Sequence, residues 1–498
     1  MGTCYSSTKD DISEAEVVTY SQVGQPRKHV YVNLRAASKD AKLFKDEEFP
    51  PNSTSYGSDD EEVQWMRASN LAKIHGQKPK FFDANGASRF DVKQGSLGDC
   101  WFLAALSDLP MYPKLFNKVV PPSDQGTPQN FDGGNCAFQF RFWHYGEWET
   151  VVVDDFLPTF NGQLKCVRSG NPTEFWSALV EKAYAKHYGN YALALKGGKA
   201  AEALEDLTGG IAEEISLKSW ENQLDIFKKL LQAYEKNSLM SACIYRDNKR
   251  RYGLIGGHAY SVNKVVQFRN EGKMVRLLRV RNPWGNSTEW NGDWSDTSLK
   301  WKLVSDDIKN QINFHRKADG EFFICLEDFV KMFSEVTICH LSIGSIDDSA
   351  RGWKMAEIKG FWTPKQSFYP TLHFQYSHYL IKLEDTDDDG LCSLLISVMQ
   401  QGARKHKGEC GENSNGDIGF ELYQVDPKRD LPLTLDFFES ALCEKAYIQT
   451  YKRRAATQRL QLRPGFYVVV PKKESTCPSE DFLIRVCYEG NGFFKSLN

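Results

Sequence analysis

The sequence predicts an α+β fold, with helices and strands mixed through the first part of the chain and an antiparallel β-sandwich at its end. Three observations carry that prediction. Apolar stripes at helical spacing occur early, as in Phe175, Trp176, Leu179, Val180, Ala183 and Tyr184, or Phe227, Leu230, Leu231 and Tyr234. Alternating segments lie among them, such as 137–142 and 149–153 on either side of Gly146. From Tyr379 onward the pattern changes to short strands between turns: 379–383, 394–399, 418–423, 460–462, 466–470 and 482–487.

Whole-chain quantities narrow the possibilities. A length of 498 residues implies two to four domains. The chain is 41% hydrophobic and 26% charged, an ordinary globular balance. A net charge of -3 gives no electrostatic pull toward nucleic acid. The twelve cysteines show no C-x-x-C pairs and no zinc spacing, and residues 1–15 lack an apolar signal region. Free thiols in a reducing cytoplasm are the simplest account. No apolar run approaches the ~18 residues a membrane-spanning helix needs.

In chain order, Met1-Gly2-Thr3-Cys4-Tyr5-Ser6 fits the N-myristoylation pattern at Gly2, with Cys4 a palmitoylation candidate. The alternative is an unmodified terminus. Two acyl chains would hold a membrane stably, and one only marginally. Residues 1–60 read as a flexible polar arm. Glu62 to Ile74 reads as a short helix or turn anchored by Trp65 and Met66. Phe81 to Val92 then leads into the stretch Gln94-Gly95-Ser96-Leu97-Gly98-Asp99-Cys100.

That stretch reads as a loop feeding a buried helix, with Cys100 at its first turn and Pro110 closing the apolar run. Unpaired N–H groups at a helix start favour thiolate over thiol, so the thiol is expected below its free value of ~8.5. Gln94 lies on the loop, where its amide could donate to an oxyanion. A cysteine in such a run is also, by itself, an ordinary core residue. Asn171-Pro172-Thr173-Glu174 predicts a helix start with Pro at the first position. His258 follows Gly256-Gly257 at the start of a predicted strand, facing a cleft or satisfied structurally. A second strand, 275–281, stops at Asn282-Pro283. Asn282 is either a turn residue or the group that orients an imidazole, with Trp284 covering the bond. Cys, His and Asn in that order supply the nucleophile, base and orienter of a thiol protease.

Motifs QGSLGDCWFLAA, GGHAYSV and RNPWGNSTEW, with EFWSALVEKAYAK, EDLTGG and DGEF, resemble those of the calpain family, in calpain order. The likeness runs over about residues 45–498. It implies a two-lobed papain-like protease core followed by a C2-like sandwich. It also implies Cys100 as nucleophile, His258 as base, Asn282 as orienter, and an oxyanion hole of Gln94 with the Cys100 N–H. Without it, the nearby carboxylates would read as surface charge. With it, one Ca²⁺ site maps to Asp91 and Glu174 with the carbonyls of Ala84 and Gly86. The other maps to Glu289, Asp296, Asp319 and Glu321 with the carbonyl of Lys317. Oxygen donors of this kind suit Ca²⁺. One extra residue separates Asn282 from Glu289 relative to the family's pattern. Arg89 and Glu321 resemble the family's charge pair between lobes.

The expected organisation is an arm (1–60), a cysteine lobe (61–200), a His/Asn lobe (201–343), a linker (344–360) and the sandwich (361–498). The acidic run 384–390 starts like an EF-hand loop, but Ile396 stands where its glutamate belongs, which rejects that reading. This loop is solvated, or it senses Ca²⁺ or basic surfaces. The basic runs 404–407 and 452–454 are solvated, touch anionic lipid, or pair with it. The chain has no penta-EF-hand segment, so no small-subunit partner is expected. The expected function is calcium-dependent limited proteolysis of cytoplasmic proteins, with a membrane contact through the N-terminus and the sandwich. The rivals are a membrane-tethered scaffold with a vestigial protease domain, and transglutaminase-like acyl transfer, which usually has Asp where Asn282 stands.

Overall fold

The computed structural model describes residues 43–58, 62–122, 135–219, 222–245, 252–342, 353–362, 377–385, 390–401, 416–426, 443–449, 453–473, 481–488 and 490–497, with positions 131, 345, 433, 437 and 438. Gly2, Cys4, the basic run 404–407 and positions 386–389 lie outside them. The architecture is α+β: a two-part core of helices and antiparallel sheets, then an antiparallel sandwich.

The first core is built around the helix Cys100–Asp108, in which every residue from Trp101 to Asp108 is buried. The helix ends where Pro110 enters a 3-10 turn, Leu109–Met111. Helices Trp176–Tyr188 and Ala200–Thr208 share its hydrophobic cluster. Phe49 and Tyr56 also join that cluster, as do Ala203, Leu204 and Leu207. The first core therefore reaches beyond the expected 61–200 at both ends, because apolar side chains on each flank need burial.

Two local expectations change. Gln64–Arg67 is a strand, followed by the helix Ala68–Ile74. The helix expected from Pro172 starts at Trp176. Asn171 Oδ1 instead accepts the Thr173 N–H at 3.1 Å, an Asx turn. The Glu174 carboxylate turns away to the Asp83 N–H at 2.7 Å and the Ser169 hydroxyl at 2.6 Å.

The second core is a six-stranded antiparallel sheet in the order Glu321–Cys325, Lys273–Arg281, His258–Asn270, Leu239–Ile244, Glu335–His340, Ile211–Ser216. The helix Gln223–Glu235, capped by the Asn222 side chain, buries Ile226, Phe227 and Leu230 in this core.

The sandwich pairs a four-stranded sheet with a five-stranded one. Six of its strands match the short segments legible in the sequence. Lys354–Phe361, expected within the linker, is an edge strand paired with Asp481–Tyr488. Its charged residues hide the alternation, since Met355 and Ala356 are buried side by side while Lys354 is exposed. Strands Cys443–Gln449 and Phe493–Ser496 were also not foreseen.

Arginines of the sandwich grip the chain where one core passes to the next. Arg454 pairs with Asp206 at 2.6 Å and Glu205 at 2.7 Å. Arg459 meets Glu213 at 3.0 Å, and Arg453 lies 3.4 Å from Glu214. Arg485 donates to the carbonyls of Gly209 and Gly210. Of the basic run 452–454, Lys452 lies outside the described residues, and Arg453 and Arg454 pair within the chain. Carboxylates of residues 205–214, where the first core passes to the second, take up the charge of Arg453 and Arg454.

Candidate active site

Two loops and a strand end bring the predicted residues together. The Gln94–Asp99 loop lies against residues 165–168: the Ser96 N–H donates to Lys165 O at 2.9 Å, and Lys93 and Arg168 exchange backbone hydrogen bonds. Gly95 is required here, because a Cβ would sit 2.2 Å from the Cys166 carbonyl and 2.3 Å from that of Lys165. From the other core, the Pro283 carbonyl accepts the Gln94 N–H at 2.9 Å, and Arg281 donates to Val92 O at 2.8 Å. The Cys loop and the Asn282 turn are therefore hydrogen-bonded to one another. Arg89 and Glu321 add a bidentate ion pair at 2.5 and 3.0 Å.

His258 opens its strand and is buried, and its Nε2 lies 2.8 Å from Asn282 Oδ1. Asn282 is held from three sides. Its Nδ2 donates to Thr288 O at 2.8 Å, the Trp284 N–H donates to its Oδ1 at 3.0 Å, and its own N–H donates to Gly320 O at 2.9 Å. These partners fix the amide orientation, so Nε2 of the ring carries the hydrogen and Nδ1 keeps the lone pair. The Trp284 ring sits 5.4 Å from the imidazole and screens the bond. Burial lowers His258 to about 4 against the support of the Asn282 bond, so the ring is neutral.

Cys100 is the first residue of its helix. Burial pushes its thiol up to about 11. The Ala259 N–H, next to His258 in the chain, pulls it down, the Asp99 charge pushes it up, and the Trp101 and Cys100 N–H groups pull it down. This corrects the expectation of a lowered thiol: the helix end acts as foreseen, but desolvation outweighs it.

Gln94 donates from Nε2 to Leu97 O at 2.9 Å and to Asp99 Oδ1 at 3.1 Å. Asp99, fully buried beside the cysteine, is a residue that sequence reasoning passed over. So is Glu181, a fully buried carboxyl whose position inside an apolar stripe could have drawn notice.

The expected metal ligands fall into two clusters. Asp91 accepts the Ser88 N–H at 2.6 Å and lies near Glu174 and Asp83. Burial raises both Asp91 and Glu174, the Asp83 charge raises both further, and the Asp91 charge also raises Glu174. Ala84 and Gly86 lie in the adjoining turn, where the Gly86 N–H donates to Asp83 O at 3.0 Å. In the second cluster, burial raises Glu289 to about 7 and Asp296 to about 6, and Asp319 adds its charge to both. Glu289 accepts the Gly320 N–H at 2.8 Å, and Asp296 accepts the Lys317 N–H at 3.1 Å. Arg89 and Asn263 hold the Glu321 carboxylate, which also gathers with Asp319 and His315 into a group that could hold a metal ion. His315, unforeseen, lies 3.6 Å from Asp319. Converging carboxylates raised by burial and mutual repulsion form a hard-oxygen set that a divalent cation would relieve, and Ca²⁺ fits it. Gly320 ties the second cluster to the imidazole: its N–H binds Glu289 and its carbonyl binds the Asn282 N–H.

Comparison with known proteins gives the family likeness. A family model described as calpain family cysteine protease matches residues 44–340, and one described as calpain large subunit, domain III, matches residues 360–487. Calpain-A of Drosophila melanogaster is 37% identical over 484 residues, covering 92% of this chain and 57% of that protein. Calpain-B of the same organism is 38% identical, covering 90% and 50%. The calpain-2 catalytic subunit of Mus musculus is 35% identical, covering 92% and 67%. The chain thus spans about half to two thirds of the length of these relatives.

Proposed function

The chain belongs to the calpain family of cysteine proteases, and from that premise we propose that it is a calcium-dependent endopeptidase that cuts intracellular proteins at limited sites through Cys100, His258 and Asn282. The observation that carries this reading is the buried 2.8 Å bond from His258 Nε2 to Asn282 Oδ1, with the next N–H along the strand acting on the Cys100 sulfur.

The chemistry follows from the tautomer. Nδ1 of His258 takes the thiol proton as the sulfur attacks the peptide carbonyl carbon. The Cys100 N–H and the Gln94 amide receive the developing oxyanion. The imidazolium, steadied by Asn282, then protonates the leaving amine, and water frees the acyl group by the same route in reverse. Because thiol and imidazole are both neutral at rest, proton transfer accompanies attack.

Ca²⁺ would be held by Asp91 and Glu174 with the Ala84 and Gly86 carbonyls, and by Glu289, Asp296, Asp319 and Glu321 with the Lys317 carbonyl. When bound, it supplies charge neutralisation that lets the carboxylates beside both catalytic loops stay ionised and close together. Asp296→Asn and Glu289→Gln are each expected to raise the Ca²⁺ concentration needed for half-maximal peptide cleavage by roughly tenfold, the scale of losing one ligand or its support. An unchanged titration would remove that site. The primary test is cleavage of a fluorogenic peptide with Ca²⁺ or with chelator. Inactivity at millimolar Ca²⁺ would favour the vestigial-scaffold alternative. Acylation of Gly2 and Cys4 belongs to the proposal too, and mass spectrometry of the N-terminal peptide from cells decides it.

The low value at His258 gives a pH signature. A base must be neutral, so at Ca²⁺ concentrations that saturate at every pH tested, where the bound ion keeps its carboxylate ligands ionised, kcat/KM should hold level from neutrality down toward pH 5 and fall only as pH nears about 4. The sign for stability is the same. A lowered imidazole contributes stability above its unfolded value of ~6.5 and loses it as pH falls through the folded one. An acid limb near pH 6.5 would contradict the buried, neutral base.

A further inference from the structure

Asp99 occupies the N-cap of the Cys100 helix, yet its side chain makes no cap hydrogen bond. An aspartate there ordinarily accepts an N–H of the first turn. Here the carboxyl turns inward, taking Gln94 Nε2 at 3.1 Å on Oδ1. Its Oδ2 is buried and receives no N–H or O–H. Its hydrogen-bonding neighbour is Glu181, 1% exposed, whose two oxygens accept the Val167 N–H at 3.1 Å. Two carboxylates this deeply buried cannot both stay ionised. A proton on Glu181 resolves the arrangement, since its O–H then donates to the orphaned Asp99 Oδ2. The other titratable groups around the pair are Cys100, Cys166 and Tyr191, all pushed up by burial, with Lys165 acting on Cys166.

We propose that Asp99 and Glu181 are a proton-sharing positioning pair for the oxyanion hole: the shared proton tunes how strongly Asp99 holds the Gln94 amide beside Cys100. Both Nε2 hydrogens of Gln94 are engaged at rest, one by Leu97 O and one by Asp99. A forming oxyanion must compete with Asp99 for one of them. A carboxylate that already accepts an O–H is a weaker competitor than a bare one, and the pair carries one negative charge near the sulfur instead of two. Burial raises Asp99 to about 6 and Glu181 well above its usual range, with the Asp99 charge acting on Glu181, so the proton sits on Glu181.

This inference rests on the roles proposed for Cys100 and Gln94, and its test separates the two failures. Glu181→Gln replaces the acid by an amide that still donates to Asp99 and accepts from Val167, but cannot lose a proton. Glu181→Ala leaves Asp99 bare. In Ca²⁺-activated peptide cleavage, Glu181→Ala should lower kcat by about tenfold with KM little changed, a partial loss of one oxyanion donor. Glu181→Gln should restore kcat to within about twofold and keep activity at alkaline pH, where the wild type declines as the pair loses its proton. If Glu181→Ala does not fold, the pH profile of Glu181→Gln decides alone. An active wild type whose alkaline limb is unchanged in Glu181→Gln overturns the positioning pair and leaves the triad standing. A wild type no more active than Cys100→Ala overturns the function first.

Discussion

Replacing Cys100 with alanine is expected to reduce peptide cleavage by at least about 10⁴-fold, the scale seen when a nucleophile is removed from a catalytic unit. In the proposed mechanism the sulfur is the attacking atom, and Cys100 stands at the head of the Cys100–Asp108 helix. His258→Ala should lose nearly as much, and the double variant little more, because neither residue works without the other. Asn282→Ala should lose less, since it frees the ring to rotate but leaves sulfur and imidazole in place. The assay is hydrolysis of a fluorogenic peptide at saturating Ca²⁺, with far-ultraviolet circular dichroism confirming that each variant is folded. Cleavage retained by Cys100→Ala would move the nucleophile elsewhere and end the assignment.

Local signals made most of this site readable before any coordinates. An apolar run bounded by Asp99 and Pro110 is a helix with the thiol at its head, and the structure places it there. Asn-Pro ends a strand, and the strand ends at Arg281. What sequence could not convey was set by partners far away in the chain. The helix start at Trp176 depends on Asp83 and Ser169 drawing Glu174 away. The thiol's resistance to ionisation depends on burial, which the helix end alone does not reveal. Glu181 looks like one polar residue in an apolar stripe until Asp99 is seen opposite. The strand Lys354–Phe361 is hidden because, as an edge strand, it carries charge that a central strand could not. The basic pair Arg453 and Arg454 reads as surface charge until Glu205, Asp206 and Glu214 appear beneath it.

Arg454 is where the second large effect is expected. Its guanidinium is 9% exposed and pairs with two carboxylates on the helix Ala200–Thr208, Asp206 at 2.6 Å and Glu205 at 2.7 Å. Asp206 also accepts the hydroxyls of Tyr184 at 2.8 Å and Tyr188 at 2.7 Å. Truncating one partner of such a buried network leaves uncompensated charge and costs about 3–5 kcal/mol, far above the ~0–1 kcal/mol of an exposed pair. Arg454→Met should therefore loosen the sandwich from the protease core, splitting denaturant unfolding into two transitions, one for each part. The protein has several cores, so the separation of midpoints is the readout and a single unfolding free energy is not. The triple change Arg454→Met, Glu205→Gln, Asp206→Asn removes the stranded charges and should recover most of the loss. The neighbouring pair supplies a contrast in pH. Burial pushes Glu213 up, but the hydrogen bond from His340 and the charges of Arg459 and Lys229 outweigh it and hold the carboxyl well below its usual range. A lowered carboxyl contributes stability above its unfolded value of ~4.3 and loses it only as pH falls through the folded one. In Arg454→Met the Arg459–Glu213 contact should therefore persist at pH 5 and limit the separation of the two midpoints, and Arg454→Met with Arg459→Met should widen it there. A single cooperative transition in that double variant would mean that the apolar contacts of the junction, not its arginines, hold the sandwich in place.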